Sequence, residues 1–109
     1  MAELSREPTA HLTYELTQDD DGSPLVRLQG ELDMTTSPRL EAAVGPIIAQ
    51  APTRLVVEAS ELEFADSSAI ALLVRWASQV PEVEIRQPPE LLRRVIARMG
   101  LSDRLRMSP

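Results

Sequence analysis

Strand-type and helix-type segments alternate along most of this 109-residue chain. Two short strands are predicted at 12–16 and 25–28, and the turn-rich segment 18–24 between them indicates a hairpin. Further strands are predicted at 54–58 and 83–85, each between two helical patterns. Because strands connected through helices pair in parallel, this order predicts an α/β fold: a mixed sheet of four to five strands with an N-terminal hairpin, packed by three to four helices.

The first helical pattern begins with Ser37 as the predicted N-cap and Pro38 in the first helical position. Apolar residues then recur with helical spacing as far as Ile48. Gly45 and Pro46 interrupt this stripe. Because proline removes a helical hydrogen bond, we expect the pair to kink or shorten the helix.

The central helix is predicted over 67–79, after a loop at 59–65, and a last helix is predicted over 90–99. Projection of the central helix separates a broad apolar face from a polar one. The apolar face consists of Ala69, Ile70, Leu73, Val74, Ala77 and Val80. Leu72 and Trp76 fall on the border, where packing against a neighbouring helix is favoured over docking.

The sequence Asp66-Ser67-Ser68 stands at the start of this central helix. Taken alone it is an N-cap, in which the Asp66 carboxylate accepts hydrogen bonds from first-turn amides and favours the positive end of the helix dipole. Ser67 then presents a solvent-facing hydroxyl in the first turn. A helix N-terminus tolerates a phosphate, so a phosphorylation switch that leaves the domain folded is physically permitted.

Composition and charge restrict the classes of function. The length fits one domain, residues 1–109 with a core over about 10–107. The absence of cysteine excludes disulfides and thiolate chemistry. Residues 1–85 carry 15 acids against 5 arginines, which disfavours binding to nucleic acid. Residues 86–109 carry 6 arginines against 2 acids, and these arginines are expected on the solvent face of a helix. The polar opening residues lack a signal peptide's apolar stretch, and no run could span a bilayer, so a soluble cytoplasmic protein without membrane insertion is predicted.

Three motifs in this order resemble the STAS domain family. They are G-E-L-D at 30–33, L-V-V-E at 55–58 and F-A-D-S-S-A-I at 64–70, and M-G-L at 99–101 in an amphipathic helix fits as well. More narrowly, the chain is similar to the bacterial anti-sigma factor antagonists, also called anti-anti-sigma factors. The resemblance covers about residues 10–107.

The resemblance implies a mechanism and a set of site residues. In that family the antagonist binds an anti-sigma factor with a GHKL-type serine kinase fold, which frees the sigma factor, and phosphorylation of the antagonist releases it. Carried over by position, Ser67 is the phosphoacceptor, Asp66 supports it, and Asp33 lies in the neighbouring binding loop. The predicted partner-binding residues are Asp33, Met34, Thr35, Asp66, Ser67, Ser68, Ala69, Leu72 and Arg75. No cofactor or metal is expected in the chain itself, since the partner kinase uses the ATP, and a monomer or weak dimer is expected.

One position departs from the family pattern. The family commonly has glycine after the second serine, where this chain has Ala69. A methyl group there is expected to hinder close approach of the partner's backbone and hence phosphorylation.

Two other classes of function compete with this one. An enzyme is disfavoured because no G-x-S-x-G elbow surrounds Ser67, the chain has no lysine, and His11 is predicted at a strand edge rather than as a base. The acids at 19–21 are predicted to form a solvated hairpin tip, not a calcium loop. A STAS-like accessory or scaffold subunit of a lipid-transport or stress-signalling complex, without a phosphoswitch, stays as the alternative.

Overall fold

The computed structural model describes residues 11–109 of the chain. Its elements are β1 Leu12–Gln18, β2 Pro24–Leu32, α1 Ser37–Ile48, β3 Arg54–Ala65, α2 Ser67–Gln79, β4 Glu82–Arg86, α3 Glu90–Arg98 and β5 Leu105–Ser108. The five strands of this part of the chain form one sheet in the order β1-β2-β3-β4-β5. β1 and β2 pair antiparallel and the other neighbours pair in parallel, which confirms the predicted mixed sheet with an N-terminal hairpin. Segment 1–10, with the polar opening residues and the predicted start of the core, lies outside the described residues.

The three helices of the described chain pack on one face of the sheet. Each connection between parallel strands contains one helix. The strands lie side by side in the sheet in the order in which they occur along the chain. The shared core contains Leu40 and Val44 of α1, Leu73 and Trp76 of α2, Ile96 of α3, and Leu55, Val57 and Ile85 of the sheet. Alternate residues of β3 and β4 point to the opposite face, where charged side chains predominate. The hydrophobic core on the helix-covered face therefore supplies most of the stability of the fold.

The predicted loop at 59–65 is wrong, because β3 runs on to Ala65. β2 is nine residues long and pairs with β3 as far as Leu32 opposite Ala65. Two register shifts interrupt this pairing, and they break the strict alternation by which a strand is recognised. A fifth strand, β5, was not placed by the sequence patterns. The extension of β3 carries the chain to the start of α2, and so it positions the site described below.

Helix α1 differs from expectation at both ends. Its N-cap is Thr36 rather than Ser37, and the Thr36 side chain makes no capping hydrogen bond. The helix is not shortened at Gly45 and Pro46 but continues to Ile48. Pro46 cannot donate a hydrogen bond to the carbonyl of Ala42, but this loss is confined to the last turn, and the Ala49 amide beyond it still donates to the Gly45 carbonyl (N···O 2.9 Å).

Candidate partner-binding surface

Asp33 and Asp66 directly follow β2 and β3, which are neighbouring parallel strands. The carboxyl ends of parallel strands meet at one edge of a sheet, so the two residues lie close together. The Asp66 amide donates to the carbonyl of Leu32 (N···O 3.2 Å), which joins the two strand ends. We call residues 33–36 and 66–68 together the binding edge.

The Asp66 carboxylate holds both halves of the binding edge. Its Oδ1 accepts hydrogen bonds from the amides of Ser68 (2.8 Å) and Ala69 (3.3 Å), so the predicted N-cap of α2 is confirmed. Its Oδ2 accepts a hydrogen bond from the amide of Met34 (3.2 Å). A single carboxylate therefore caps the helix and fixes the neighbouring loop against it.

Asp33 organises the loop itself. Its Oδ1 accepts hydrogen bonds from the amides of Thr35 (2.9 Å) and Thr36 (3.0 Å). The hydroxyl of Thr36, a buried residue, donates to the carbonyl of Glu31 (2.9 Å) and accepts from the amide of Asp33 (3.0 Å). These bonds leave the Asp33 side chain facing inwards, so its role at the binding edge is to shape the loop.

Gly30, the first residue of the G-E-L-D motif, is required by the backbone just before this loop. Its φ is +105°, a region that favours glycine, and a Cβ built there would collide with the carbonyl oxygen of His11. That carbonyl accepts a hydrogen bond from the amide of Glu31 (2.8 Å). His11 is exposed directly before β1, as its predicted place near a strand edge requires.

Several side chains of the binding edge point outwards and are available for contact. Ser67 is exposed and Ser68 is half-buried at the start of α2. In the loop, Thr35 is exposed and Met34 is 74% exposed. The predicted placement of Ser67 at the surface beside the Asp33 loop is therefore confirmed.

Two predicted contact residues are wrong. Leu72 and Ala69 are both completely buried, because they lie on the side of α2 that packs into the core. Neither side chain can reach a partner. The methyl group of Ala69 consequently lies in the core, and the expected hindrance to a partner's backbone does not arise. Trp76 is buried as well, as the packing interpretation of the border residues required.

Arg75 lies two turns along the exposed side of α2. Its guanidinium forms a bidentate ion pair with the carboxylate of Glu41 on α1, through Nε (3.1 Å) and Nη2 (3.0 Å). Beside this pair a cleft of about 210 Å³ lies between the two helices, lined by Met34, Ser37, Glu41, Ser68 and Arg75 among others. Among the described residues, the buried Ser37 hydroxyl has no hydrogen-bond partner.

A second, larger cavity opens on the other side of Ser67. It is a groove of about 580 Å³ between α2 and α3, lined mainly by apolar side chains. Its walls include Ile70 and Val74 of α2 and Leu91 and Met99 of the α3 region, the last two being 62% and 58% exposed. The sequence patterns missed this groove, because it exists only once α3 has packed beside α2.

Charged residues on the open face of the sheet form a separate cluster, which we call the charge network: Asp19, Arg54, Glu84 and Arg86. Asp19 accepts hydrogen bonds from Arg54 (3.0 Å) and Arg86 (3.2 Å). Arg54 also pairs with Glu84, which is only 6% exposed. The prediction that 19–21 form a solvated tip is thus wrong for Asp19, since the hairpin folds it against two arginines of the sheet.

The pKa values of the network follow from these contacts. The guanidiniums of Arg86 and Arg54 hold the pKa of the Asp19 carboxyl far below its usual range. The Ser108 hydroxyl, which donates to Glu84 (2.7 Å), and Arg54 lower the pKa of Glu84 against the opposing effect of burial. Both acids therefore remain charged in the folded protein at neutral pH.

The described part of the chain, residues 11–109, lacks a candidate metal site and a candidate membrane-spanning helix. It contains no group of three or more His, Asp or Glu side chains placed to hold a metal ion. None of its helices is long and apolar enough to cross a membrane.

Comparison with known proteins places these features in a family. The family model described as "Mlab, STAS domain" matches residues 16–107. The anti-sigma-F factor antagonist RsfB of Mycobacterium tuberculosis is 29% identical over 92 residues, which cover 82% of this chain and 75% of that protein. The crystal structure of an anti-sigma factor antagonist from Mycobacterium paratuberculosis is 29% identical and superposes with a TM-score of 0.81, over 91% of this chain and 86% of that one.

The anti-sigma factor antagonist SpoIIAA has the same fold at lower identity. Its unphosphorylated form is 21% identical with a TM-score of 0.74, over 89% of each chain. Its phosphorylated form, from Bacillus, is 22% identical with a TM-score of 0.72, over 89% of this chain and 92% of that one. The matched family model spans most of this chain, and the chain therefore belongs to the STAS domain family.

Proposed function

We propose that this protein is an anti-sigma factor antagonist controlled by phosphorylation of Ser67. It binds an anti-sigma factor of GHKL-type kinase fold while Ser67 is unmodified, which frees a sigma factor, and it is released once the kinase has phosphorylated Ser67. The observation that carries this proposal is the exposed Ser67 hydroxyl in the first turn of a capped helix, beside the exposed loop residues Met34 and Thr35. The names of its mycobacterial relatives support the same function.

The binding edge and the apolar groove together suit a protein partner. The edge offers hydroxyls and a rigid backbone, because the carboxylates of Asp33 and Asp66 already bind the amides of the loop and helix. The groove offers apolar side chains such as Leu91 and Met99 for burial. A polar rim beside an apolar centre is the usual composition of a protein–protein interface.

Phosphorylation would weaken such an interface through charge. A phosphate adds a charge of about −1.5 to −2 at neutral pH. On Ser67 it would stand beside the carboxylate of Asp66, while the positive end of the α2 dipole offsets part of that repulsion within the domain. A partner that fits a neutral hydroxyl must instead desolvate or repel a dianion. The fold should therefore survive and the complex should not.

The proposal assigns no reaction to this chain itself. ATP is consumed by the partner kinase, both proteins act in the cytoplasm, and no nucleic acid is bound by the antagonist. Isolation of the protein with its partners from the native cell separates this function from the alternative. A GHKL-type kinase among the partners supports the proposal, whereas transporter or scaffold subunits without a kinase would support the accessory role.

A binding assay with purified candidate anti-sigma factors, with and without ATP, is the direct test. We expect one kinase to bind the unmodified protein and to lose it when ATP is added, and mass spectrometry should then locate one phosphate on Ser67. Phosphate only on Ser68, or stable binding in the presence of ATP and phosphate on Ser67, would refute the proposal.

A further inference from the structure

The apolar groove between α2 and α3 is continuous with the binding edge. Ser67 lines the groove at the start of α2, and Arg75 lines it two turns later. On the α3 side, Leu91 and Met99 contribute large apolar side chains that are 62% and 58% exposed. Nothing among residues 11–109 covers these side chains. A contiguous apolar surface of this kind indicates that a binding partner covers it.

The length of the groove suits a helix. Its α3 wall runs from Leu91 through Val95 to Met99, which is about 12 Å along the helix axis. Its α2 wall includes Ile70 and Val74, which are one helical turn apart. About two turns of a partner helix match this length. Such a helix fills a groove with apolar side chains that recur every three or four residues.

The outer rim of the groove on α3 is basic. The helix carries Arg93, Arg94 and Arg98 against Glu90 alone. With about 100° between successive residues, the exposed Arg98 and Arg94 lie about 20° and about 60° from Leu91, on its solvent side. Arg93 lies about 160° from Leu91, on the far side of the helix. An occupant with acidic residues along one flank therefore complements the charge of this rim.

We propose that the groove binds an amphipathic helix of the anti-sigma factor, apolar on one side and acidic along one flank. This inference rests on the proposed function, because it assigns the segment of that partner which lies beside Ser67. Burial of apolar side chains against Leu91 and Met99 supplies the affinity. The acidic flank faces Arg94 and Arg98, and charges at such an exposed rim act mainly on the rate and selectivity of association.

The affinity for the anti-sigma factor identified by the binding assay tests the apolar part of this site. Leu91→Asp should weaken binding at least about tenfold, because the groove must then bury a carboxylate. The fold should survive, since Leu91 is largely exposed and lies in the first turn of α3, where an acid is favourable. Leu16→Asp, at an exposed leucine of the edge strand β1, is the matched control and should leave the affinity unchanged. A folded Leu91→Asp protein that binds as tightly as wild type would overturn the inference.

The dependence of the affinity on salt tests the basic rim. Arg98→Glu should weaken binding by roughly tenfold at low salt and by much less at high salt, because salt screens exposed charges. Arg93→Glu makes the same change on the far side of α3 and should leave the affinity unchanged. Equal effects of the two substitutions would show that the occupant of the groove is not acidic.

Photo-crosslinking identifies the occupant directly. With Leu91 replaced by p-benzoylphenylalanine, irradiation of the complex should join the groove to the anti-sigma factor. Mass spectrometry should then locate the cross-link in a segment with apolar residues in helical spacing and acids beside them. A cross-link to a second copy of this chain, to a small molecule or to a segment without that pattern would refute the inference. Failure of every anti-sigma factor to bind would instead refute the proposed function, so the two failures are distinguishable.

Discussion

Aspartate carboxylates have different hydrogen-bond partners in two regions of this molecule. At the binding edge, the carboxylates of Asp33 and Asp66 accept hydrogen bonds from backbone amides. In the charge network, the carboxylate of Asp19 accepts from two arginine side chains. The first arrangement fixes a loop and a helix start while leaving the serine and methionine side chains outward. The second neutralises charges and ties the hairpin to the sheet.

The difference separates acids that shape the proposed binding surface from acids that stabilise the fold. An acidic chain presents many carboxylates, and their number does not indicate where a partner binds. Their hydrogen-bond partners separate two roles, because a carboxylate that binds backbone amides positions a loop, whereas one that binds arginines neutralises charge. Substitutions in the two regions should therefore differ in whether they affect affinity or only stability.

Arg54→Met should have the largest effect on stability. Arg54 pairs with Asp19 and Glu84, and its removal leaves the largely buried Glu84 carboxylate with only the longer ion pair to Arg86 (3.5 Å) and the hydrogen bond from Ser108. We expect the free energy of unfolding in urea to fall by roughly 3 kcal/mol, the lower end for breaking a buried pair. Arg27→Met on the same face, whose pair with Glu15 is exposed, should cost less than about 1 kcal/mol. A loss of partner affinity in either folded variant would assign the open face to the interface.

Asp66→Ala should have a smaller effect on stability but a clear effect on binding. It removes the N-cap of α2 and the hydrogen bond from the Met34 amide, at a cost of about 1–2 kcal/mol. The loop should also lose its fixed position against the helix, which weakens partner binding. Asp20→Ala, at an exposed position of the hairpin, is the control for removing one negative charge. Stability equal to that of wild type would mean that Asp66 does not cap this helix.

The dependence of stability on pH should show the smallest effect. The pKa values of Asp19 and Glu84 are lowered in the folded state from ordinary values of 3.8 and 4.5. A carboxyl group with a lowered pKa stabilises the fold above its ordinary pKa, and this contribution is lost as the pH falls towards the folded value. Stability should thus decline below about pH 5.

Asp19→Asn isolates the network's share of this decline. The difference in unfolding free energy between wild type and Asp19→Asn, measured in urea at several pH values, should shrink as the pH falls from 7 to about 3, since the Asp19 carboxyl takes up a proton in the unfolded chain while it stays charged in the folded protein. A difference that stays constant over this range would show that Asp19 does not stabilise the fold through its charge.

Much of the fold follows from local patterns in the sequence. The bounds of α2 were predicted correctly as 67–79, because apolar spacing, the Asp66 cap and Pro81 agree with each other. The second half of β3 could not be recognised, since its shifts in register depend on pairing with β2. β5 is a four-residue strand, too short and polar for a strand signal of its own, and it exists through its pairing with β4.

The site was predicted in part. Asp33, Asp66 and Ser67 were located by motif, and their proximity follows from adjacent parallel strands. The bond from the Met34 amide to Asp66 joins residues 32 positions apart and could not be inferred from either segment. Leu72 was predicted as a partner-binding residue, although its place on the border of the helix already allowed burial. The groove beside α3 depends entirely on tertiary packing.

The affinity of a candidate anti-sigma factor for Ser67 variants, measured by calorimetry, is the decisive measurement. Ser67→Ala should bind constitutively in the presence of ATP, and Ser68→Ala should keep the ATP-dependent release. Ser67→Glu should bind at least about tenfold more weakly than wild type, a difference of about 1.4 kcal/mol, yet unfold at a similar temperature. A Ser67→Glu protein that binds as tightly as wild type would contradict control of the partner through charge at Ser67.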